Sequence, residues 1–285
     1  MIHIITDSMS DYTHAAHRDA NVRIAYQPVR FGMEEYMDDG VSITQADFYA
    51  RLRTATELPK TSMVPTQTWK DLLKEALADP DDTALIIAGS SKLSGGYQSA
   101  VSAADSMKMP GRIALVDSLS ASCGEIMLID CAVRLRDSGA TLAEAVAALE
   151  DLKGRQRLIG LADDLKYLVM GGRLNPLIGK VGGMLSIKPT LKLEDGAIEK
   201  EGVVRGLKKG YAWYVEQLKA YAPDPAVPMY VGGADCPETA EMLRQMFLDA
   251  GLQLPEIRCV GIGCLIGTHV GPGTTLVTWA IKAEG

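Results

Sequence analysis

Three short apolar runs, residues 2–6, 84–88 and 113–116, each end in small polar residues: Asp7-Ser8, then Ser90-Ser91 with Ser94, then Asp117-Ser118. Serine hydroxyls donate to carboxylate or phosphate oxygens, so hydroxyls gathered at one edge of a sheet suit a small anion. Ser94-Gly95-Gly96 leads into a helical stretch over residues 97–105, whose first backbone N–H groups and dipole favour the same charge. Any one of these residues is more often a cap or a turn residue, and three sets in register weigh against that reading. His269 is one of four histidines and falls in Gly267-Thr268-His269-Val270-Gly271-Pro272-Gly273. That stretch reads as a loop facing a cleft, where an imidazole donates to an acidic group.

Motifs for catalysis are missing. Gly179-Lys180 precedes Val181 rather than Ser or Thr, which removes a phosphate-binding P-loop, and the glycines from Gly261 to Gly267 have one residue too many for the dinucleotide fingerprint. No serine is centred in a Gly-x-Ser-x-Gly elbow, and no paired carboxylates or His/Asp/Glu cluster marks a glycosidase or metal site. No catalytic residue and no metal ligand is therefore assigned. Cys123, Cys131, Cys236, Cys259 and Cys264 form an odd set without a Cys-x-x-Cys pair, which reads as reduced, mostly buried thiols. A net charge of −7 with no basic run argues against nucleic acid. The opening MIHIITD lacks the features of a signal peptide and no apolar stretch approaches a membrane span, so a soluble cytoplasmic protein is expected.

The elements that position these residues follow from pattern. A length of 285 residues suits two domains, and 47% hydrophobic residues suffice for a large core. Strands alternating with helices predict an α/β fold with a mainly parallel sheet in the first domain. Over residues 66–77, Trp69, Leu72, Leu73, Ala76 and Leu77 share one helical face, with Thr66 as N-cap. Thr141 and Glu144 form a capping box for a helix running into Lys153-Gly154, which closes the first domain. Domains at 1–154 and 155–285 are the expectation. The second is read as a further α/β unit: a strand at 158–162, a short helix at 164–170 stopped by Gly171-Gly172, a longer helix at 235–250 stopped by Gly251, and a terminal strand within 274–282 whose alternate residues face opposite ways.

Thr6-Asp7-Ser8 with Asp11, Lys60-Thr61-Ser62, Ser90-Ser91-Lys92-Leu93-Ser94-Gly95, Val116-Asp117-Ser118, Gly171-Gly172-Arg173, Lys188-Pro189 and the Gly267 to Gly273 stretch occur together and in this order. On these motifs the chain resembles the bacterial DegV family over its whole length. The resemblance implies a two-domain DegV-like α/β fold with the ligand in the cleft between the domains. It implies a long-chain fatty acid as ligand, such as palmitate, stearate or oleate, held without any cofactor. Members called FakB present the bound carboxylate to an ATP-binding fatty acid kinase subunit for acyl phosphate formation, which makes them binding proteins rather than enzymes. Transferred to this chain, the resemblance gives Ser62 and Ser94 as first headgroup ligands, Thr61, Gly95 and His269 as supporting ones, and Arg173 as a contact to the kinase subunit, with a plain surface arginine as its other reading. Met63 and Gly96 depart from the family pattern, where glutamine and threonine are frequent.

Burial of an acyl chain contributes about 0.8 kcal/mol per methylene, while its carboxylate must stay hydrogen-bonded, so a narrow apolar tunnel with one polar end is expected. Residues 126–129 and 181–187 are candidate walls, and equally good core. Partners are then a fatty acid and a kinase subunit, with no nucleic acid and at most transient membrane contact. Two other readings remain at this point: a serine acyl hydrolase or transferase with Ser94 or Ser62 as nucleophile and His269 as base, and a binder of a phosphorylated small molecule.

Overall fold

A computed structural model describes residues 1–175 and 187–282. The chain opens with β1 (Ile2–Asp7), two single 3-10 turns at Ser8–Ser10 and Tyr12–His14, and β2 (Arg23–Ala25). A hairpin of β3 (Pro28–Phe31) and β4 (Glu34–Met37), then α1 (Gln45–Thr54), β5 (Lys60–Thr61) and α2 (Thr66–Ala76) follow. Next come β6 (Thr83–Ala88), α3 (Gly96–Met107), β7 (Ile113–Asp117), α4 (Cys123–Asp137) and α5 (Leu142–Arg155). The second half runs β8 (Gln156–Leu161), α6 (Lys166–Met170), β9 (Ile187–Glu194), β10 (Ala197–Arg205), α7 (Leu207–Ala220), β11 (Met229–Gly233), α8 (Pro237–Asp249), β12 (Ile257–Gly261), α9 (Cys264–Val270) and β13 (Thr275–Ala280).

The first sheet has the order β2-β1-β6-β7 with every pair parallel, so the carboxyl ends of its strands share one edge and the topology reverses between β1 and β6. A small antiparallel sheet, β4-β3-β5, sits beside it, and the six-stranded sheet β10-β9-β8-β13-β11-β12 is antiparallel except where β11 meets β12. Strands of the first two sheets use residues up to Asp117 and those of the third use residues from Gln156 onward. The last strand forms as read from the sequence, and its place in the sheet is central. β13 lies inside the sheet between β8 and β11, both faces are covered, and all six residues are buried. Its alternation separates two cores: Val277 and Trp279 pack with Tyr214 and Phe247, while Leu276 faces the cavity described below.

Helix ends follow local chemistry. The Thr141/Glu144 capping box forms as read. Thr66 is not a cap: Pro65 takes that position and Thr66 enters the first turn, its hydroxyl 3.1 Å from that of Ser99 on α3. α8 starts at Pro237 rather than Asp235, since proline fits the first helical turn and Asp235 is in the left-handed region with φ 55°. Trp69, Leu73 and Ala76 on α2 are buried against β6 as expected.

α4 is apolar nearly all round its first two turns and packs against strands of both large sheets. Ile126, Met127, Leu128 and Ile129 are consequently buried core and are not part of the lining of the cavity described below, which corrects their reading as a tunnel wall. Of the other proposed wall segment, Ile187 opens β9, while residues 181–186, like the Gly179-Lys180 pair, lie outside the described residues.

Candidate functional site

A cavity of about 310 Å³ lies between the carboxyl edge of the first sheet and one face of the six-stranded sheet, within the size range of small-molecule sites. Its floor is a cross-strand row, Leu276 on β13, Gly160 on β8 and Leu191 on β9, extended by Leu158, Leu193 and Ile198. Gly160 matters here because a Cβ would stand 2.9 Å from Leu276 Cδ2 and fill the row. Leu265, Ile266 and Val270 of α9 form one wall, and Met9 and Ala121 another.

One region of the lining is polar. Thr61, Ser62, Ser94, Gly95, His269 and Arg173 all face this same cavity. Thr61 and Ser62 arrive on β5 and just after it, held by pairing with Val29 and by Ser62 N donating to Pro28 O. Ser94 ends the turn before α3, where its Oγ accepts from Gly96 N at 3.2 Å and its O–H has no acceptor among the described residues. Gly95 is packed under Met63: a Cβ there would lie 2.6 Å from Met63 Sδ, and Met63 itself is half exposed at the rim. Gly96 is less constrained, since a Cβ would meet Asp7 Oδ2 and Ser94 Oγ at 3.5 Å, ordinary contact distance.

His269 does not sit in a loop. It lies in the last turn of α9, which Gly271 terminates in a conformation only glycine adopts readily, φ 76° and ψ 165°. Its Nε2 shares a hydrogen bond of 3.0 Å with Thr61 Oγ1, and its Nδ1 is buried with no partner among the described residues. Burial, with a smaller contribution from the nearby Arg173 charge, pushes the imidazole down to about 4, so it is neutral at neutral pH.

Arg173 is not a plain surface residue. The guanidinium is half-buried, donates to Leu93 O at 3.2 Å and Gly171 O at 2.5 Å, and makes no ion pair among the described residues. Burial lowers its pKa from the ordinary arginine value.

The other strand-end residues build the edge and leave the cavity to Ser94. Asp7 accepts from Met9 N and Gly89 N, Ser8 bonds to Gln27, Ser90 Oγ donates to Gly196 O at 2.7 Å, and Ser118 Oγ to Ser120 O at 3.1 Å. Asp117 accepts from Ser91 N and Leu119 N. The expected convergence of all these serines on one ligand is therefore corrected: sharing a sheet edge does not aim a side chain, and the Ser8, Ser90 and Ser118 hydroxyls are engaged by backbone groups. Conversely, Gln27, Ser122, Lys192 and Thr274 line the cavity without any sequence signal, because they meet there only through long-range packing.

The carboxyls behind this edge are deeply buried. Desolvation raises Asp7 to about 6, against the N–H bonds of Met9 and Gly89, and raises Asp11 to about 7. His14 is also held above its ordinary value, because Asp38 and Asp11 outweigh the effect of burial. In each case the folded state binds protons more tightly than the unfolded chain, so this contribution to stability is lost as pH rises from the ordinary carboxyl range through about 6 for Asp7 and about 7 for Asp11. His269 has the opposite sign, and its effect falls between pH 6.5 and about 4. The expected result is a melting temperature several degrees higher at pH 6 than at pH 8; a rise over that interval would contradict the buried-carboxyl assignment.

The DegV family model matches residues 1–282. The chain belongs to the DegV family. A DegV domain-containing protein of Caldanaerobacter subterraneus subsp. tengcongensis is 33% identical over 273 residues, 95% of each chain. Among solved structures, a fatty-acid-binding DegV family protein from Thermus thermophilus aligns with a TM-score of 0.85 at 29% identity, over 98% of this chain and 99% of that one. The Streptococcus pneumoniae fatty acid kinase B3 protein, loaded with linoleic acid, aligns with a TM-score of 0.87 over 99% of this chain and 100% of that one; at 21% identity the likeness is one of fold. The two-domain DegV fold expected from the motifs is thus the fold observed. Among the described residues no helix is long and apolar enough to cross a membrane, and no group of three or more His, Cys, Asp or Glu is placed to hold a metal ion.

Proposed function

We propose that this DegV protein binds one long-chain fatty acid in the cavity, with the acyl chain over the Leu276–Gly160–Leu191 row and the carboxylate among Ser62, Ser94, Thr61, Gly95 and His269. One observation carries the reading: a mostly apolar cavity lined by Thr61, Ser62, Ser94 and His269 together with Arg173, a cation that has no carboxylate partner among the described residues. An incoming carboxylate supplies that partner and accepts from the free Ser94 hydroxyl. The fatty acids bound by the related structures support the same ligand class. The ligand sits between domains at 1–154 and 155–285, in the cytoplasm, and no cofactor takes part.

Ser62, Met63 and Gly95 are exposed at the rim, so a carboxylate held there is reachable from outside. On this reading the protein does no chemistry alone and presents the carboxylate to an ATP-binding kinase subunit for acyl phosphate formation. A serine nucleophile is disfavoured, because Ser94 Oγ accepts from Gly96 N and His269 Nε2 is bonded to Thr61, so no Ser–His pair is made among the described residues. Native mass spectrometry of the purified protein followed by organic extraction tests the reading. A stoichiometric long-chain fatty acid is expected in the organic phase; a phosphorylated metabolite in the aqueous phase, or an acyl-serine adduct, would replace it. His269→Ala is expected to weaken retention about tenfold, the value of one hydrogen bond to a charged group, measured by oleate titration.

A further inference from the structure

α9 belongs to the second half of the chain, yet carboxylates from the first 38 residues hold its N-terminus. Asp11 Oδ1 accepts from Gly263 N at 2.8 Å, Asp38 Oδ1 from Cys264 N at 2.9 Å and Asp38 Oδ2 from Leu265 N at 3.1 Å. Three successive N–H groups that helix geometry leaves without partners thus meet the oxygens of two buried carboxyl groups at the positive end of the dipole. Both carboxylates are buried at 1% exposure. They are themselves fixed, Asp38 through its own N–H to Gln27 O at 3.0 Å and Asp11 by the Ser122 hydroxyl at 2.5 Å. His14 stands beside them with Nε2 3.7 Å from Asp38 Oδ1, too long for a hydrogen bond and close enough for an ion pair.

The approach is tight enough to require glycine at the cap. A Cβ on Gly263 would lie 2.7 Å from His14 Nε2 and 2.9 Å from Asp11 Oδ1. Further along, Tyr49 of α1 donates to Ile262 O at 3.0 Å, and a Cβ on Gly267 would meet the Tyr49 hydroxyl at 2.4 Å. The short helix therefore has its start and one side gripped by residues 11–49. Its other side, Leu265, Ile266, His269 and Val270, faces the cavity. With a rise of about 1.5 Å per residue, His269 stands roughly one turn beyond the gripped N–H groups, and its reach is set by where they are held.

We propose that Asp38, assisted by Asp11, positions His269 for the ligand carboxylate by clasping the N-terminus of α9. Asp38 does not line the cavity; it is a positioning residue that acts through α9, and the inference rests on the fatty acid reading above. A hydrogen bond to a headgroup tolerates displacements of only about half an ångström, so a helix freed at one end loses the bond before it loses its packing.

The test is a double-mutant cycle on oleate affinity with Asp38→Asn, His269→Ala and the pair. Asparagine turns one accepting oxygen into a donor facing Leu265 N or Cys264 N, and losing a cap acceptor is expected to weaken binding about tenfold in the otherwise unaltered protein. In the His269→Ala background the same substitution is expected to change affinity less than twofold. An equal loss in both backgrounds, or no loss in either, overturns the clasp while the fatty acid reading stands. Absence of oleate binding by the unaltered protein overturns both. If Asp38→Asn does not fold, Asp38→Ser, which keeps one acceptor, is read in the same cycle by the same criteria.

Discussion

Arg173→Met is expected to lower fatty acid affinity about 100-fold with little change in melting temperature. The arginine is a half-buried cation whose neighbours are the carbonyls of Leu93 and Gly171, with no acidic side chain paired to it among the described residues. Methionine keeps the apolar stem and removes the charge, leaving the ligand carboxylate without its countercharge in a cavity whose wall is otherwise mostly apolar. Removing one partner of a desolvated charge pair costs 2 kcal/mol or more, and about 2.7 kcal/mol corresponds to 100-fold. Oleate titration of the purified protein measures this directly. If affinity is unchanged and the variant fails only when the kinase subunit is added, Arg173 is a partner contact and not a headgroup ligand.

The largest stability effect is expected from Gly271→Ala, a loss of about 3–5 kcal/mol in urea unfolding. Two costs add here. Gly271 adopts φ 76° and ψ 165°, a region nearly closed to side-chain-bearing residues and costing about 1–3 kcal/mol. A Cβ would also stand 2.2 Å from Tyr167 Cδ2 and within 2.7 Å of two further ring atoms, and overpacking costs about 1–3 kcal/mol more. Tyr167 is buried and packs with Leu168 and Val270, so its ring has little room to retreat. Gly273→Ala is the control. It shares a positive φ of 79°, but its Cβ would meet only Asp163 side-chain atoms at 3.3 Å or more, and a loss of about 1–2 kcal/mol is expected. Equal losses for the two variants would show that the ring contact plays no part. The same substitution is expected to impair ligand binding, since Gly271 ends the helix that carries His269.

The chemistry of the site and much of its frame were legible in the residues themselves. Alternating β-branched runs and amphipathic helices specified the parallel first sheet, because a strand's period of two and a helix's period of 3.6 are local properties that tertiary packing here reinforces. The Thr141/Glu144 box and the Gly171-Gly172 stop were equally local. Ser94 was found by its place at a helix start, and Thr61, Ser62 and Gly95 through the order and spacing of family motifs; all four face the cavity.

What tertiary structure alone decided is which polar residues point inward. Ser90 and Ser94 are four residues apart in one turn, yet Ser90 donates to Gly196 of a distant hairpin and Ser94 is left to face the cavity. Arg173, read from the sequence as a kinase contact or a plain surface arginine, lines the cavity with its guanidinium bonded to the Leu93 and Gly171 carbonyls, 80 and two positions away. The helix at His269 also escaped sequence reading: seven residues flanked by glycines are too few to form on propensity, and its N–H groups are satisfied by Asp11 and Asp38, more than 220 residues upstream. Local pattern therefore determined the elements and the residue types available for an anion, whereas aim, burial and charge pairing depend on contacts between segments far apart in the chain, which no window of sequence contains.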